Sequence, residues 1–339
     1  MKIVYLLASS DVSGGQRVIF QQAEELTGVG HTVTLICPEA KPTWFPIQRA
    51  KWEKAPFSES NALNTADICM ATYWTTVPPA VEAFDGPIFH LCQGYEADFS
   101  FNGPFKEKIE AAYAMSTHKL AVSHHVAGRL KSVGYDPVSY VGQTFDPGEF
   151  PPEGTRTFKT DLPVILLPGI FESDLKGIRE TLEALADLRK SEIPFYLRRV
   201  STWPLSDVEK GIYLAQQYSM RLTPTEMAAA YRNSDLLIGP SHPEEGFGLH
   251  VLESLSSGLP VLVSDTPGHR HIARNAAEYF KWGDRHDILM KLRYLLKNPF
   301  RLRELSNMGP AEANRFSTAA VADRLILLFR ESLNQKGAS

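Results

Sequence analysis

At 339 residues the chain is long for one compact domain, and the usual ~100–200 residues per domain point to two. Hydrophobic residues at 43% and charged residues at 22% supply ordinary globular cores and exclude a disordered chain. A net charge of -4 gives no overall pull toward nucleic acid, so nucleic acid is not the expected partner.

Short apolar runs alternate with helical patterns along most of the chain, the mark of parallel sheets covered by helices, and the class is α/β. Lys2 to Ala8 reads as a buried strand, Gly14 to about Thr27 as a helix, and Thr32 to Cys37 as the next strand, with Gly28 and Gly30 as the break. The opening apolar run imitates a signal peptide but is short and leads straight into a glycine turn and an amphipathic helix. Further strands are expected at Ile68 to Thr72, Pro87 to Cys92 and Leu120 to Ser123. No window approaches the ~20 apolar residues that span a bilayer, so membrane association, if any, is expected to be peripheral.

From Phe145 to Thr155 the chain packs three prolines and two glycines, which suits neither helix nor central strand. The expected division is therefore a first Rossmann-like domain over residues 1–150, a second over 151–316, and a terminal helix over 317–339. The second half restarts with a strand at Pro163 to Leu167 and a helix from Gly177 to Lys190. Thr223-Pro224-Thr225-Glu226 has Thr at the cap, Pro at the first helical position and Glu three past the cap, and this helix feeds a strand at Leu236 to Gly239. Ser317 caps an amphipathic helix carrying Val321, Leu325, Leu328 and Phe329. Cys37, Cys69 and Cys92 sit near apolar runs without metal-ligand spacing, and a reducing cytosol fits them.

The segment richest in chemistry runs from Ser241 to Glu253 and continues to Gly258 and Pro260. It follows a buried strand and ends like a helix, with glycine then proline. Gly246 and Gly248 remove side chains where the chain turns into that helix, so a ligand can approach the backbone, and amides plus helix dipole favour a phosphate. Glu245 in the loop and Glu253 inside the helix can reach different parts of one ligand, and a carboxylate suits paired sugar hydroxyls. Taken singly, Glu245 also reads as a helix-start acid and Glu253 as a surface charge.

Glu245-Gly246-Phe247-Gly248-Leu249 with Glu253, followed by Ser254, Gly258, Pro260 and Val261, resembles the signature of the retaining glycosyltransferases of family four. That family has the GT-B fold, two Rossmann-like domains whose parallel sheets face a central cleft. Gly14-Gly15 resembles the family's first glycine loop, Lys176-Gly177 its Lys-Gly, and the terminal helix one that crosses back to the first domain. The resemblance implies transfer of a hexosyl or deoxyhexosyl group from a nucleotide sugar to a saccharide or other hydroxyl acceptor, metal-independent and retaining. No Asp-x-Asp pair is present, which fits that version. No permanently bound cofactor is implied, and the setting would be bacterial-type glycan or polysaccharide synthesis in the cytoplasm or at the inner membrane face.

Glu253 would hold the donor ribose, Glu245 the transferred sugar near the reacting centre, and Gly248 and Leu249 amides the diphosphate. Lys176 would neutralise phosphate charge, and Gly15 would let the first domain close on the donor. Two departures stand out. Pro168-Gly169-Ile170 replaces the family's arginine, for which Arg198 or Arg199 could substitute, and His271 occupies a position that is often acidic. On the acceptor side the candidates are Gln93, Glu96 and Trp74, the first two in a Gln-x-Tyr-Glu loop that resembles one in bacterial rhamnosyltransferases. His90, inside a strand, reads as a core histidine.

Three other readings compete. A dinucleotide oxidoreductase is disfavoured because Ser10 to Gln16 lacks Gly-x-Gly-x-x-Gly. A non-catalytic nucleotide-sugar-binding protein on the same scaffold would account for the absent arginine. A sugar epimerase or phosphorylase of the same fold shares the scaffold but not the detail of the Glu245 segment.

Overall fold

The computed structural model describes residues 1–152, 154, 156–158, 161–191 and 193–337. The chain forms two compact units, Met1–Phe145 with Phe316–Ser339, and Asp146–Arg315. Of the Pro/Gly segment expected to separate two domains, Glu153 and Thr155 lie outside the described residues, as do the last two residues of the terminal segment.

The first unit is built on seven strands: β1 (Lys2–Leu6), β2 (Thr32–Cys37), β3 (Lys51–Lys54), β4 (Ile68–Ala71), β5 (Ile88–Cys92), β6 (His118–Ala121) and β7 (Val138–Tyr140). All pair in parallel in the order β3-β2-β1-β4-β5-β6-β7. β1 lies inside the sheet, with Ile3 opposite both Val33 and Ile68. Its apolar run is thus explained by burial on both faces, which is what helices on either side of a parallel sheet require. The strand expected at Leu120 to Ser123 runs from His118 to Ala121 and stops short of Ser123, because Ser123 caps the next helix. Its hydroxyl accepts from the Val126 N–H at 3.1 Å.

The second unit carries six parallel strands: β8 (Val164–Pro168), β9 (Tyr196–Ser201), β10 (Gln217–Met220), β11 (Leu236–Gly239), β12 (Val261–Ser264) and β13 (Glu278–Phe280). Their order is β10-β9-β8-β11-β12-β13. Every residue of β8, β11 and β12 is buried. Thr223 and Glu226 form the expected capping box at the start of the helix Pro224–Arg232. The two-domain, parallel-sheet α/β class is the observed one.

The terminal helix Thr318–Gly337 belongs to the first unit, although the chain reaches it from the second. The Thr318 hydroxyl donates to the Phe145 carbonyl at 3.0 Å, and Arg324 Nε donates to the Val141 carbonyl at 2.6 Å. Phe329 is fully buried against Phe89, ring centroids 4.9 Å apart, and burial of such a ring contributes roughly 1.5–3 kcal/mol. Among the described residues no helix is long and apolar enough to cross a membrane.

Candidate functional site

In an open parallel sheet, neighbouring strands whose connections run to opposite sides leave a crevice at their carboxyl ends. In the second unit that reversal falls between β8 and β11. The loop after β8 carries Lys176, at the end of a short 3-10 turn, and the loop after β11 carries Ser241 to Gly248.

The two loops are clamped together by Gly177. Its φ is +54°, and a Cβ there would stand 2.1 Å from the Pro240 carbonyl oxygen, so any side chain would force the loops apart. The His242 N–H donates to the Leu175 carbonyl at 2.7 Å, closing the same contact. As a result Lys176 Nζ forms an ion pair with Glu245 Oε1, with side-chain exposures of 30% and 17%. The solvated lysine and the simple helix-start acid, each open from sequence alone, are therefore not what is seen. Burial alone would raise the Glu245 carboxyl. The charge and hydrogen bond of Lys176, helped by Ser241 and His269, more than reverse this and hold it below its ordinary value. Glu245 Oε2 is buried and, among the described residues, has no hydrogen-bond partner.

Gly248 precedes the helix Leu249–Ser256, whose first turn has no side-chain cap. A Cβ on Gly248 would lie 3.0 Å from His269 Nε2, so glycine leaves the helix amides open beside an imidazole. Gly246 and Phe247 are buried in the turn that leads there. Glu253, one turn further, is 2% exposed and is not a surface charge. The Tyr231 hydroxyl donates to its Oε2, and His250 Nδ1 lies 3.7 Å from the same oxygen.

His269 and Tyr231 were not anticipated. His269 sits in the helix Pro267–Ala273 after β12, its Nδ1 2.9 Å from the Ser264 carbonyl. Burial lowers its pKa, against the opposing influence of Ser264 and Glu245. Only its place just beyond a strand end hinted at it. Tyr231 is buried in the helix Pro224–Arg232, where its sequence position reads simply as core.

Neither arginine proposed to replace the residue absent at Ile170 is available. Arg199 is fully buried, with Nε donating to Glu209 Oε1 at 2.7 Å and Nη2 to the Gly169 carbonyl at 3.0 Å. Arg198 donates through Nε to Gln217 Oε1 at 3.0 Å and through Nη1 to the Asn233 carbonyl at 3.2 Å. Alternation along β9 sends the two to opposite faces of the sheet, and each is consumed by the fold. His271, at the often acidic position, lies in the last turn of the helix Pro267–Ala273.

Residues 155–315 match the family described as "Glycosyl transferases group 1". Over this stretch the chain is similar to the group 1 glycosyltransferases. Every candidate donor residue of the second unit falls within the matched segment. The D-inositol 3-phosphate glycosyltransferase of Thermobispora bispora is 36% identical over 112 residues, 32% of this chain and 26% of that protein. The aligned region thus spans about a quarter of the curated relative's length. Among solved structures, sucrose-phosphate synthase from Thermosynechococcus elongatus superposes with a TM-score of 0.76 over 99% of both chains at 15% identity. HepE of Anabaena, in complex with UDP and glucose, gives 0.77 over 98% of this chain and 100% of its own at 14% identity. The fold is GT-B.

In the first unit the reversal of strand order falls between β1 and β4. Gly14 and Gly15 open the helix Gly14–Gly28 after β1, and the cap Ser13 accepts from the Gln16 N–H. Gln93, after β5, donates from Nε2 to the Gly15 carbonyl at 3.1 Å, so it braces the glycine turn. Trp74, after β4, is half-buried between Tyr73 and Phe105, packed as a rim residue of two core clusters. Glu96, an acceptor-side candidate, lies inside the unit. It is 5% exposed and pairs with the Tyr113 hydroxyl inside the unit, because its backbone turns inward in a 3-10 turn. His90 is fully buried, as a core histidine would be, and burial lowers its pKa to about 3.

Proposed function

We propose that the protein moves a sugar from a nucleotide-sugar donor to a hydroxyl acceptor, with retention and without a metal ion. The observation that carries this reading is the Lys176–Glu245 pair beside the uncapped start of the helix Leu249–Ser256. A diphosphate lying on the Gly248 and Leu249 amides meets the helix dipole and the lysine charge together. Lys176 then stabilises the charge that develops on the leaving group, the kind of effect that usually dominates such catalysis. Glu245 Oε2, buried without a partner, offers an acceptor for a donor-sugar hydroxyl. Glu253 holds the ribose hydroxyls, with Tyr231 fixing the carboxylate.

In this mechanism the acceptor oxygen bonds to the anomeric carbon on the face the leaving group departs from. The bond from that carbon to the phosphate oxygen breaks, and the acceptor proton passes to a donor phosphate oxygen. The leaving diphosphate is stabilised by Lys176 and the helix amides, to which Arg198 and Arg199, engaged elsewhere, add nothing. The glycine turn at Gly14 and Gly15, braced by Gln93, contributes to donor binding, and Trp74 offers an aromatic face on the acceptor side. Glycan or polysaccharide synthesis is the setting this chemistry suits.

A donor panel tests the reading by nucleoside diphosphate release with and without added acceptor. Release that depends on acceptor and falls at least a hundredfold in Glu245→Ala, with the fold retained by circular dichroism, is expected. Full turnover by that variant would overturn the catalytic assignment, and donor binding without release from any pair would favour a non-catalytic sugar-nucleotide binder.

A further inference from the structure

The segment Gln93 to Asp98, between β5 and the next helix, is tied down at nearly every residue. The Gln93 carboxamide donates to the Gly15 carbonyl at 3.1 Å. The Tyr95 and Tyr135 hydroxyls are 3.0 Å apart, and Asn102 Nδ2 donates to the Glu96 carbonyl at 3.0 Å. Asp98 takes a two-pronged hydrogen bond from Arg129. At the centre, the Tyr113 hydroxyl from the helix Lys106–Ala114 lies within bonding distance of two acceptors, Glu96 Oε2 and, at 3.2 Å, the Gly94 carbonyl.

A phenol has one proton, so an ionised Glu96 and the Gly94 carbonyl cannot both be satisfied by Tyr113. The Glu96 backbone N–H reaches its own carboxyl, but among the described residues no other side chain supplies the donor that Tyr113 cannot share. The Cys92 thiol from β5 donates to the His90 carbonyl at 3.3 Å. Lys119 from β6 is spent on the Met115 and Thr117 carbonyls. The Tyr73 hydroxyl, from the loop after β4, is raised in pKa chiefly by burial and further by the nearby Glu96 charge, and it brings no positive charge. His90, whose ring lies 4.6 Å from that of Tyr113, is neutral. A buried carbonyl without a donor is costly, and one added proton removes the conflict.

We propose that Glu96 is held as a neutral acid that donates to the Tyr113 oxygen, freeing Tyr113 to donate to the Gly94 carbonyl. This relay fixes the Gln93 carboxamide on Gly15 and so sets the glycine turn. Glu96 and Tyr113 are then positioning residues acting through Gln93, and the link to turnover rests on the glycosyl-transfer reading above. Burial pushes the Glu96 carboxyl up to about 7, against the lowering influence of Tyr113. Ionisation above that pH therefore breaks the relay.

Hydrogen exchange and turnover on the full chain test this together. Glu96→Gln supplies the same donor as the neutral acid. It is expected to keep turnover at pH 7 within threefold and to remove a fall in kcat that the native protein shows from pH 7 to 9. Tyr113→Phe is expected to speed amide exchange in residues 14–17 and 93–98 and to lower kcat about tenfold. Adding Gln93→Ala should change that loss little, because both act through one contact. Multiplicative losses from Tyr113→Phe and Gln93→Ala, unchanged exchange at 14–17, or a Glu96→Gln profile with the native alkaline fall would overturn the relay. The exchange readout needs no substrate, so a protein that transfers no sugar yet shows the exchange response refutes the functional reading and leaves the relay standing.

Discussion

Lys176 and Glu245 meet as an ion pair across the two loops that leave β8 and β11, and the pair exists because Gly177 lets those loops touch. Glu245 titrates below its ordinary value of 4.5 since the lysine outweighs burial. The stability this contributes is present above the unfolded value and is lost as pH falls through the lower folded one. In Lys176→Met the balance reverses and burial raises the carboxyl. The acid limb of a pH–activity profile should move to higher pH, and kcat should fall by about 10²–10³ as the leaving-group charge loses its partner. An acid limb in the same place would separate Glu245 from the titration.

Gly177→Ala tests the clamp itself. With φ at +54° and the Pro240 oxygen 2.1 Å from the added carbon, the loops must separate. Calorimetry is expected to show a loss of about 1–3 kcal/mol, the scale of a strained backbone position. Turnover should fall further than stability explains, because Lys176 is displaced from Glu245. A variant with native melting temperature and kcat would show that the loops do not need this contact.

Glu253 and Tyr231 should separate donor affinity from chemistry. Glu253→Gln removes the charge from a carboxylate that is 2% exposed, and hydrogen bonds to charged groups contribute ~1.5–3 kcal/mol. The expected result is a donor KM raised by about 10–100-fold with a smaller change in kcat. Tyr231→Phe, which deletes only the hydroxyl on that carboxylate, should raise KM more modestly. The thermal shift given by nucleoside diphosphates should shrink in the same order.

Arg199 and Glu209 are a different case, a pair 2.7 Å apart with side-chain exposures of 0% and 1%. Glu209→Ala leaves a buried guanidinium uncompensated, and denaturant titration should show a loss of about 3–5 kcal/mol. The folded fraction should keep native KM for donor. A raised KM at unchanged stability would restore Arg199 as a ligand of the diphosphate.

Much of the second unit was legible because its signals are local. Thr223 and Glu226 cap a helix by their own spacing, Leu236 to Gly239 is apolar throughout, and the glycines around Glu245 announce an open turn before a helix. The same holds for β1, β2 and the helix between them. These features depend on residues within one or two turns of each other, so the chain alone specifies them.

What only tertiary structure decided is which distant side chains meet and which way a strand or turn points them. Arg198 and Arg199 are adjacent in sequence but lie on opposite faces of β9, each taken up by a partner on another element. Glu96 reads in sequence as an acceptor-side loop candidate but pairs with Tyr113 inside the unit, while His269 and Tyr231 joined the site from a later strand end and an earlier helix. The physical reason is that strand order brings together the carboxyl ends of β8, β11 and β12 although Ser264 follows Pro168 by 96 positions. Local propensity carries no information about which partner fills a pairing made through space.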